Sequence, residues 1–415
     1  MAEQSKTYCP LPFNHSHAGL NGKYKPCCNA SSKLGWDYHT ESMSYDDWFT
    51  SPQMEQLRKD LLNGVQNDLC SVCWDQEKTG GKSFRHDYIN RFPNVNSKKP
   101  VITYIDLKLS NECNLACTHC DYTNSNQIWK DVVKMQSKNM ELPPQWDRSP
   151  NFESRILEEN KEQMLHFTSK KVVDEVINML PQITHLKVTG GEPTITKEFF
   201  SLIDYAISNG YAKNIFLFIT TNGTRFTPEF LKKLNSFKEL HITVSCDGFG
   251  ETYEYIRYPF KWKAFEKRMY HIRDYLKEDN HNLKGLSFNC VAQMQNIHNI
   301  PKLEEWIFKV FKDNAYFGLQ PHLLPLDHTN RVELLPKHFL ESALVGIKNS
   351  NSKTNYNLSK YIKKLEYLIK NYKEPANSDL KLMKRNLLNL DEIRDQSYQV
   401  GLTSNVAEWV DTIKC

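Results

Sequence analysis

Three cysteines fall in one short string, Cys113-Asn-Leu-Ala-Cys117-Thr-His-Cys120, directly after a strand-like run from Val101 to Leu109 (VITYIDLKL). This C-x3-C-x2-C spacing at a strand end demands a loop that turns three sulfurs toward one point. Three thiolates so close can hold three corners of a cubane iron–sulfur cluster and leave the fourth iron without a protein ligand. An iron with an open position can bind a small molecule directly, which turns an electron carrier into a catalyst. Zinc and buried thiols are the competing readings. Zinc sites favour C-x2-C pairs and four ligands. No fourth Cys or His follows at a matching distance, and His119 lies between two of the cysteines, badly placed for the same metal.

A second string, His185-Leu-Lys-Val-Thr-Gly190-Gly191-Glu192-Pro193, is another strand-like run, this time ending in GGEP. The two motifs, in this order and each at the C-terminal end of a predicted strand, resemble the signatures of the radical S-adenosylmethionine (SAM) superfamily. The resemblance implies an α/β fold, a partial (β/α)6 TIM-like barrel. It implies a [4Fe-4S] cluster on Cys113, Cys117 and Cys120, with SAM chelated at the open iron. An electron entering the S–C5′ bond would release methionine and a 5′-deoxyadenosyl radical that abstracts hydrogen from a C–H bond. A reducing partner such as flavodoxin or ferredoxin is implied as well.

Gly190 and Gly191 carry no side chain to block a backbone approach to the SAM amino end. Glu192 can accept from that ammonium group, and Pro193 follows it. The bland alternative is a strand-to-helix turn. The resemblance extends to Thr221-Asn222-Gly223, where such enzymes line the SAM pocket, and to Ser245, where a polar residue meets the ribose or the methionine carboxylate. Asp247 reads as a helix-entry or turn residue. Arg257 could reach the SAM carboxylate or form a surface salt bridge. His119 stands where family members usually carry an aromatic residue for adenine.

The surrounding pattern agrees. Candidate strands at Ile102–Leu109, His185–Thr189, Asn214–Thr221, Glu239–Ser245, Gly285–Gln293 and Tyr316–Pro321 alternate with candidate helices at Ser169–Leu180, Lys197–Ser208, Thr227–Phe237, Lys263–Leu276 and Pro301–Phe311. Strands joined by crossover helices imply a parallel sheet, with the active site at the C-terminal strand ends. The expected organisation is a Cys-rich region over 1–98, the barrel over 99–326 and a helical extension over 327–415. The first region reads as loop-rich, with one amphipathic helix at Ser44–Leu62 and a linker at Arg91–Pro100. The stretch Asp121–Thr168 is longer than a crossover needs and reads as a surface excursion or a substrate-facing cap.

Eleven cysteines is a high count for an intracellular enzyme. The N-terminus lacks the apolar core of a secretory signal, so a cytoplasmic location is the default and clustered cysteines point to metal. Cys9-Pro-Leu-Pro-Phe, Gly22-x4-Cys27-Cys28 and Cys70-x2-Cys73 resemble pieces of the SPASM and twitch auxiliary-cluster modules, which usually follow the barrel. One extra [4Fe-4S] cluster on Cys9, Cys27, Cys70 and Cys73 is the implied arrangement. Cys28 could replace Cys27, although the G-x4-C register favours Cys27, and a four-cysteine structural zinc stays open. Cys246 and Cys290 read as core packing, and Cys415 is assigned no role.

A net charge of +4 does not call for a nucleic acid partner, and no apolar run reaches the length that crosses a bilayer. A peptide or protein is the first substrate class implied. A nucleotide or sugar is the alternative within enzymes, and a non-catalytic zinc or iron–sulfur protein is the alternative outside them.

Overall fold

Alternate residues of the central strands are buried, and this period of two orients everything that follows. The computed structural model describes residues 5–20, 23–31, 42–78, 81–146, 170–319, 324, 328–354, 356 and 358–414. Two compact units are present, each assembled from separated stretches of chain. The first comprises Met1–Ser110, Phe167–Ile219 and Ser236–Glu239, and the second Asn111–His166, Thr220–Asn235 and Leu240–Cys415.

The first unit holds β1 (His15–Ala18), β2 (Tyr24–Lys25), β3 (Tyr104–Lys108), β4 (His185–Thr189) and most of β5 (Phe216–Thr221), in the order β2-β1-β3-β4-β5. All neighbours are parallel except β1 and β2. The strand β1 was not expected. It pairs with β3 from His15↔Tyr104 to Ala18↔Leu107, so the Cys-rich region contributes a strand to the sheet. Four residues, HSHA, carry no strand periodicity of their own; pairing with β3 makes them a strand.

The single helix expected over Ser44–Leu62 is two, Tyr45–Phe49 and Pro52–Leu62. Pro52 cannot continue a helix, and Ser51 accepts from Met54 N at 3.4 Å to start a new one. The apolar face is as read, with Trp48, Met54, Leu57 and Leu61 buried. On β4, Leu186 and Val188 are fully buried, while His185 and Lys187 occupy the other face in register with Tyr104 and Asp106 of β3. The helices Lys170–Met179 and Lys197–Ser208 pack on one another.

The second unit holds β6 (Glu239–Ser245), β7 (Leu283–Cys290) and β8 (Tyr316–Leu319), all parallel, with a register shift at Leu240/His241. Its helices Trp262–Tyr275 and Ile300–Phe311 bring Trp262, Phe265 and Trp306 into one aromatic core with Tyr253. Cys246 and Cys290 are fully buried, as core packing requires. The expected helical extension is present as Lys337–Thr354, Ser359–Lys370, Asn377–Arg394 and Ser404–Thr412.

The described part of the 121–168 stretch is packed structure. Ile128, Val132, Met135 and Trp146 share an apolar cluster with Leu390 and Ile393 of the extension. Beside it, Arg394 pairs with Asp131 at 2.6 Å, both side chains buried. Residues 147–169 lie outside the described residues, and with them most of the cap reading; Gly22 and Cys415 do too. Among the described residues, no helix is long and apolar enough to cross a membrane. The fold class is the expected one: α/β, parallel strands with crossover helices, then a helical extension.

Candidate functional site

The cysteine loop of the second unit is fastened from several sides. Cys113 N donates to Asn126 Oδ1 at 2.9 Å, Ser125 Oγ donates to Leu115 O at 2.6 Å, and Trp146 Nε1 donates to Cys120 O at 2.9 Å. Ala116 N donates to Tyr258 O at 2.7 Å and Thr118 N to Ile256 O at 2.9 Å. Cys113 and Cys117 are buried around Leu115, with Cys120 packed against them. Leu115 N points at Cys113 Sγ at 3.4 Å and Asn222 Nδ2 at 3.8 Å, two donors that favour a thiolate. Asn222 also donates to Asn114 Oδ1 and accepts from Thr224 N, so the TTNG turn is tied to the cysteine loop.

Burial pushes the thiols of Cys117 and Cys120 up. For Cys120, Asp121 and the other two sulfurs push the same way. Arg257 is the strongest opposing influence on Cys117. Three thiols packed in one cluster cannot all ionise without a compensating positive core. A cluster iron supplies one, so the donor chemistry fits the cubane.

His119, Asp247 and Arg257 of this unit lie in one network. His119 Nδ1 accepts from Gln293 Nε2 at 3.2 Å, which leaves Nε2–H toward Asp247 Oδ2 at 3.6 Å. Burial holds the ring neutral, with its pKa lowered. Asp247 lies in the segment that leads from β6 into the helix Glu251–Ile256, as a helix-entry residue would. It is fully buried, accepts from Val291 N at 2.7 Å and pairs with Arg257 at 2.5 Å. Arg257 is buried against Asp247, so it is no surface salt bridge. Ser245 ends β6, half-buried and in register with Asn289 of β7.

The GGEP turn belongs to the first unit. Gly190 has φ +148°, and a Cβ there would meet Ser110 O at 2.8 Å. Gly191 N donates to the same carbonyl. The closest demand on Gly190 is therefore the end of the chain's own β3 segment, a constraint invisible in the motif. Glu192 is fully buried and accepts from Thr194 N at 3.0 Å and from Thr194 Oγ1, with Pro193 opening a short 3-10 turn.

The four N-terminal cysteines also come together. Cys9, Cys27, Cys70 and Cys73 line one pocket with Leu11, Pro12, Pro26 and Phe84. Burial pushes all four thiols up, Cys70 to about 12, and each feels at least one neighbouring thiol or acid that pushes the same way. Cys28 is exposed, and its charged neighbours are Asp106 and Lys187, which leaves Cys27 as the member of this set. Arg85 lines the pocket, pairs with Glu77 at 2.7 Å and donates to Tyr8 O at 2.8 Å. No disulfide joins any of the ten described cysteines. Among the described residues, no three or more His, Cys, Asp or Glu side chains are gathered into the shell of a single ion. The fit of a cluster in either place therefore rests on donor chemistry.

Sequence reading missed a third group. Asp106 is buried on β3, with Lys187 Nζ at 2.8 Å and His17 Nδ1 at 3.6 Å. Burial pushes its carboxyl up, but Lys187 and His17 outweigh this and hold it well below the usual range. Its Oδ1 is buried without a hydrogen-bond partner. A charged pair within a strand-like run was the available signal. A larger cavity, about 560 Å³, opens beside Thr103, Thr184 and His185 at the N-terminal strand ends of the first unit, and none of its lining residues is a cysteine or Asp106. Volume alone does not mark the chemistry.

Among curated proteins the chain is similar to the mycofactocin maturase MftC of Mycolicibacterium smegmatis, 26% identical over 34% of this chain and 26% of that one. It is also similar to the 7-carboxy-7-deazaguanine synthase of Aquifex aeolicus, 34% identical over 29% of this chain and 47% of that one. The chain thus spans about a quarter to a half of the length of these curated relatives. Streptococcus suis SuiB bound to S-adenosylmethionine aligns over 74% of this chain and 58% of that one, with 13% identity and a TM-score of 0.34. Residues 107–307 match the family model of the radical SAM superfamily. The span takes in the cysteine loop, the GGEP turn and the network around Asp247, and over it the chain carries a radical SAM superfamily domain.

Proposed function

We propose that this protein is a radical SAM enzyme that abstracts hydrogen from a C–H bond of a peptide or protein. The observation that carries the reading is the C-x3-C-x2-C loop, with its thiols buried together and Asn222 of the TTNG turn directed at Cys113. When bound, a [4Fe-4S] cluster and SAM would supply reductive C–S cleavage and a 5′-deoxyadenosyl radical.

The chain's own residues hold and shield that chemistry. Cys113, Cys117 and Cys120 serve as ligands, and Asn222 and Leu115 N favour the Cys113 thiolate. Gly190, Gly191, Glu192 and Pro193 serve the amino end of SAM, Ser245 its ribose or carboxylate, and His119 its adenine. The burial of Cys113 and Cys117 excludes water from the reacting centre. Cys9, Cys27, Cys70 and Cys73 hold a second, closed cluster whose use is electron transfer, as four thiolates leave no iron open. The external electron comes from a flavodoxin or ferredoxin.

The peptide reading is supported by the likeness of the N-terminal cysteine groups to SPASM and twitch pieces and by similarity to a protein named as a maturase. The segment identical at 34% to a deazaguanine synthase favours a second reading, a small nucleobase-like substrate. Anaerobic reconstitution should yield roughly eight irons per chain. Dithionite should then release 5′-deoxyadenosine from SAM. Iron content near zero, or SAM left intact by a fully loaded protein, would overturn the reading.

A further inference from the structure

The segment that follows β7 reaches the cysteine loop and takes hold of His119. Thr118 Oγ1 donates to Gln293 Oε1 at 3.1 Å, so the other end of that amide, Nε2, faces His119 Nδ1 at 3.2 Å. An amide nitrogen only donates, so Nδ1 accepts and the ring hydrogen sits on Nε2. That Nε2 faces Asp247 Oδ2 at 3.6 Å. Both ring nitrogens are thus turned to protein partners, and the ring has only its π face to offer a ligand.

The clamp is itself held. Gln293 is fully buried, and its backbone N–H donates to Asn296 Oδ1 at 2.9 Å. Asn296 Nδ2 donates to Asp247 O at 2.9 Å, so the two partners of the ring are tied to one another. The main chain of the loop is gripped from a second side. Asn330 Nδ2 donates to Thr118 O at 2.9 Å, and His328 Nε2 lies 3.4 Å from His119 O. The His119 side chain is 15% exposed and that of Asp247 is 0%, so the ring borders the open side of a buried network.

We infer that Gln293 is a positioning residue for the nucleobase of SAM: it fixes the tautomer and the plane of His119, so that an imidazole serves as the flat surface on which adenine stacks. The inference rests on the reading of His119 as the residue that meets adenine. A phenylalanine in that place is oriented by packing alone. An imidazole carries polar edges as well, and with Nδ1 unheld it can turn about χ2 toward water or toward the base's own donors. Stacking depends on the relative orientation of the two rings, so a ring that turns gives it up.

The test is equilibrium binding to anaerobically reconstituted full-length protein with two probes. S-adenosylhomocysteine carries the adenine, and methionine lacks it. Gln293→Met should weaken S-adenosylhomocysteine about fivefold, the net worth of one hydrogen bond, and leave methionine within about twofold. In a His119→Phe background, where no ring nitrogen needs holding, Gln293→Met should change S-adenosylhomocysteine by less than about twofold. If Gln293→Met fails to fold, Gln293→Asn, which keeps the amide but draws it back by one methylene, carries the same expectations. Equal losses for both probes, a loss undiminished in the phenylalanine background, or no loss at all would overturn the inference and leave Gln293 a support of the loop. Failure of the parent protein to bind S-adenosylhomocysteine would instead overturn the underlying reading.

Discussion

Two places in this molecule gather cysteines, and they do so in opposite ways. The 113–120 loop brings three thiols together and surrounds them with a polar network of Asn222, Asp247, Arg257, His119 and Gln293. The N-terminal pocket brings four together among Leu11, Pro12, Pro26 and Phe84, with Arg85 as its cation. On the proposed reading, three thiols in a polar surround suit a site that admits a charged cofactor and changes oxidation state, and four thiols in a mostly apolar surround suit a closed centre. The difference teaches that the number of thiols and their surroundings differ together here, and each can be probed alone.

The largest effect should come from Cys117→Ala. It removes the middle ligand of the three, so SAM cleavage should fall to background with loss of about four irons, read by iron analysis and 5′-deoxyadenosine release. Retained turnover would remove the distinction between the two places.

Next comes the double variant Cys70→Ala/Cys73→Ala. About four irons should be lost while uncoupled SAM cleavage persists. Cys28→Ala, by contrast, should leave iron content unchanged, as Cys28 is exposed and outside the pocket. Iron loss in that variant would reassign the fourth ligand.

Arg85→Met sharpens the role of Arg85, the lining cation among the described residues. It removes the arginine partner of Glu77, whose side chain is 19% exposed and keeps Ser83 and His86 beside it, and it frees Tyr8 O. A loss of about 2 kcal/mol is expected after allowing for that exposure, measured by denaturant unfolding.

The most specific effect, confined to acid pH, concerns His15 of β1. Burial lowers its pKa from 6.5 to about 4. The folded protein then binds fewer protons than the unfolded chain between these values, so stability falls as pH drops from 6.5 toward 4. His15→Phe should flatten this slope, worth roughly 3 kcal/mol at most across the window. A slope unchanged in the variant would place the acid sensitivity elsewhere.

Much of this was readable in advance because it is local. The candidate strands His185–Thr189, Asn214–Thr221 and Glu239–Ser245 match β4, β5 and β6 within two residues, and C-x3-C-x2-C and GGEP are short strings whose meaning survives without their surroundings. The G-x4-C register favours Cys27 over Cys28, and Cys27 is the one that lines the pocket. What was not readable is long-range. The strand β1 exists because β3 pairs with it. Gly190 is a glycine because Ser110 O lies where a Cβ would be. The ion pair of Asp247 was not readable because its partner, Arg257, is contributed by a later helix end.

The chain alone carried the ligand atoms and their spacing, because a loop of a few residues can bring sulfurs together by itself. The assignment of charges around those sulfurs came from the folded molecule. Burial multiplies the force between Arg257, Asp247 and Cys117, and burial is a property of packing that no short segment possesses.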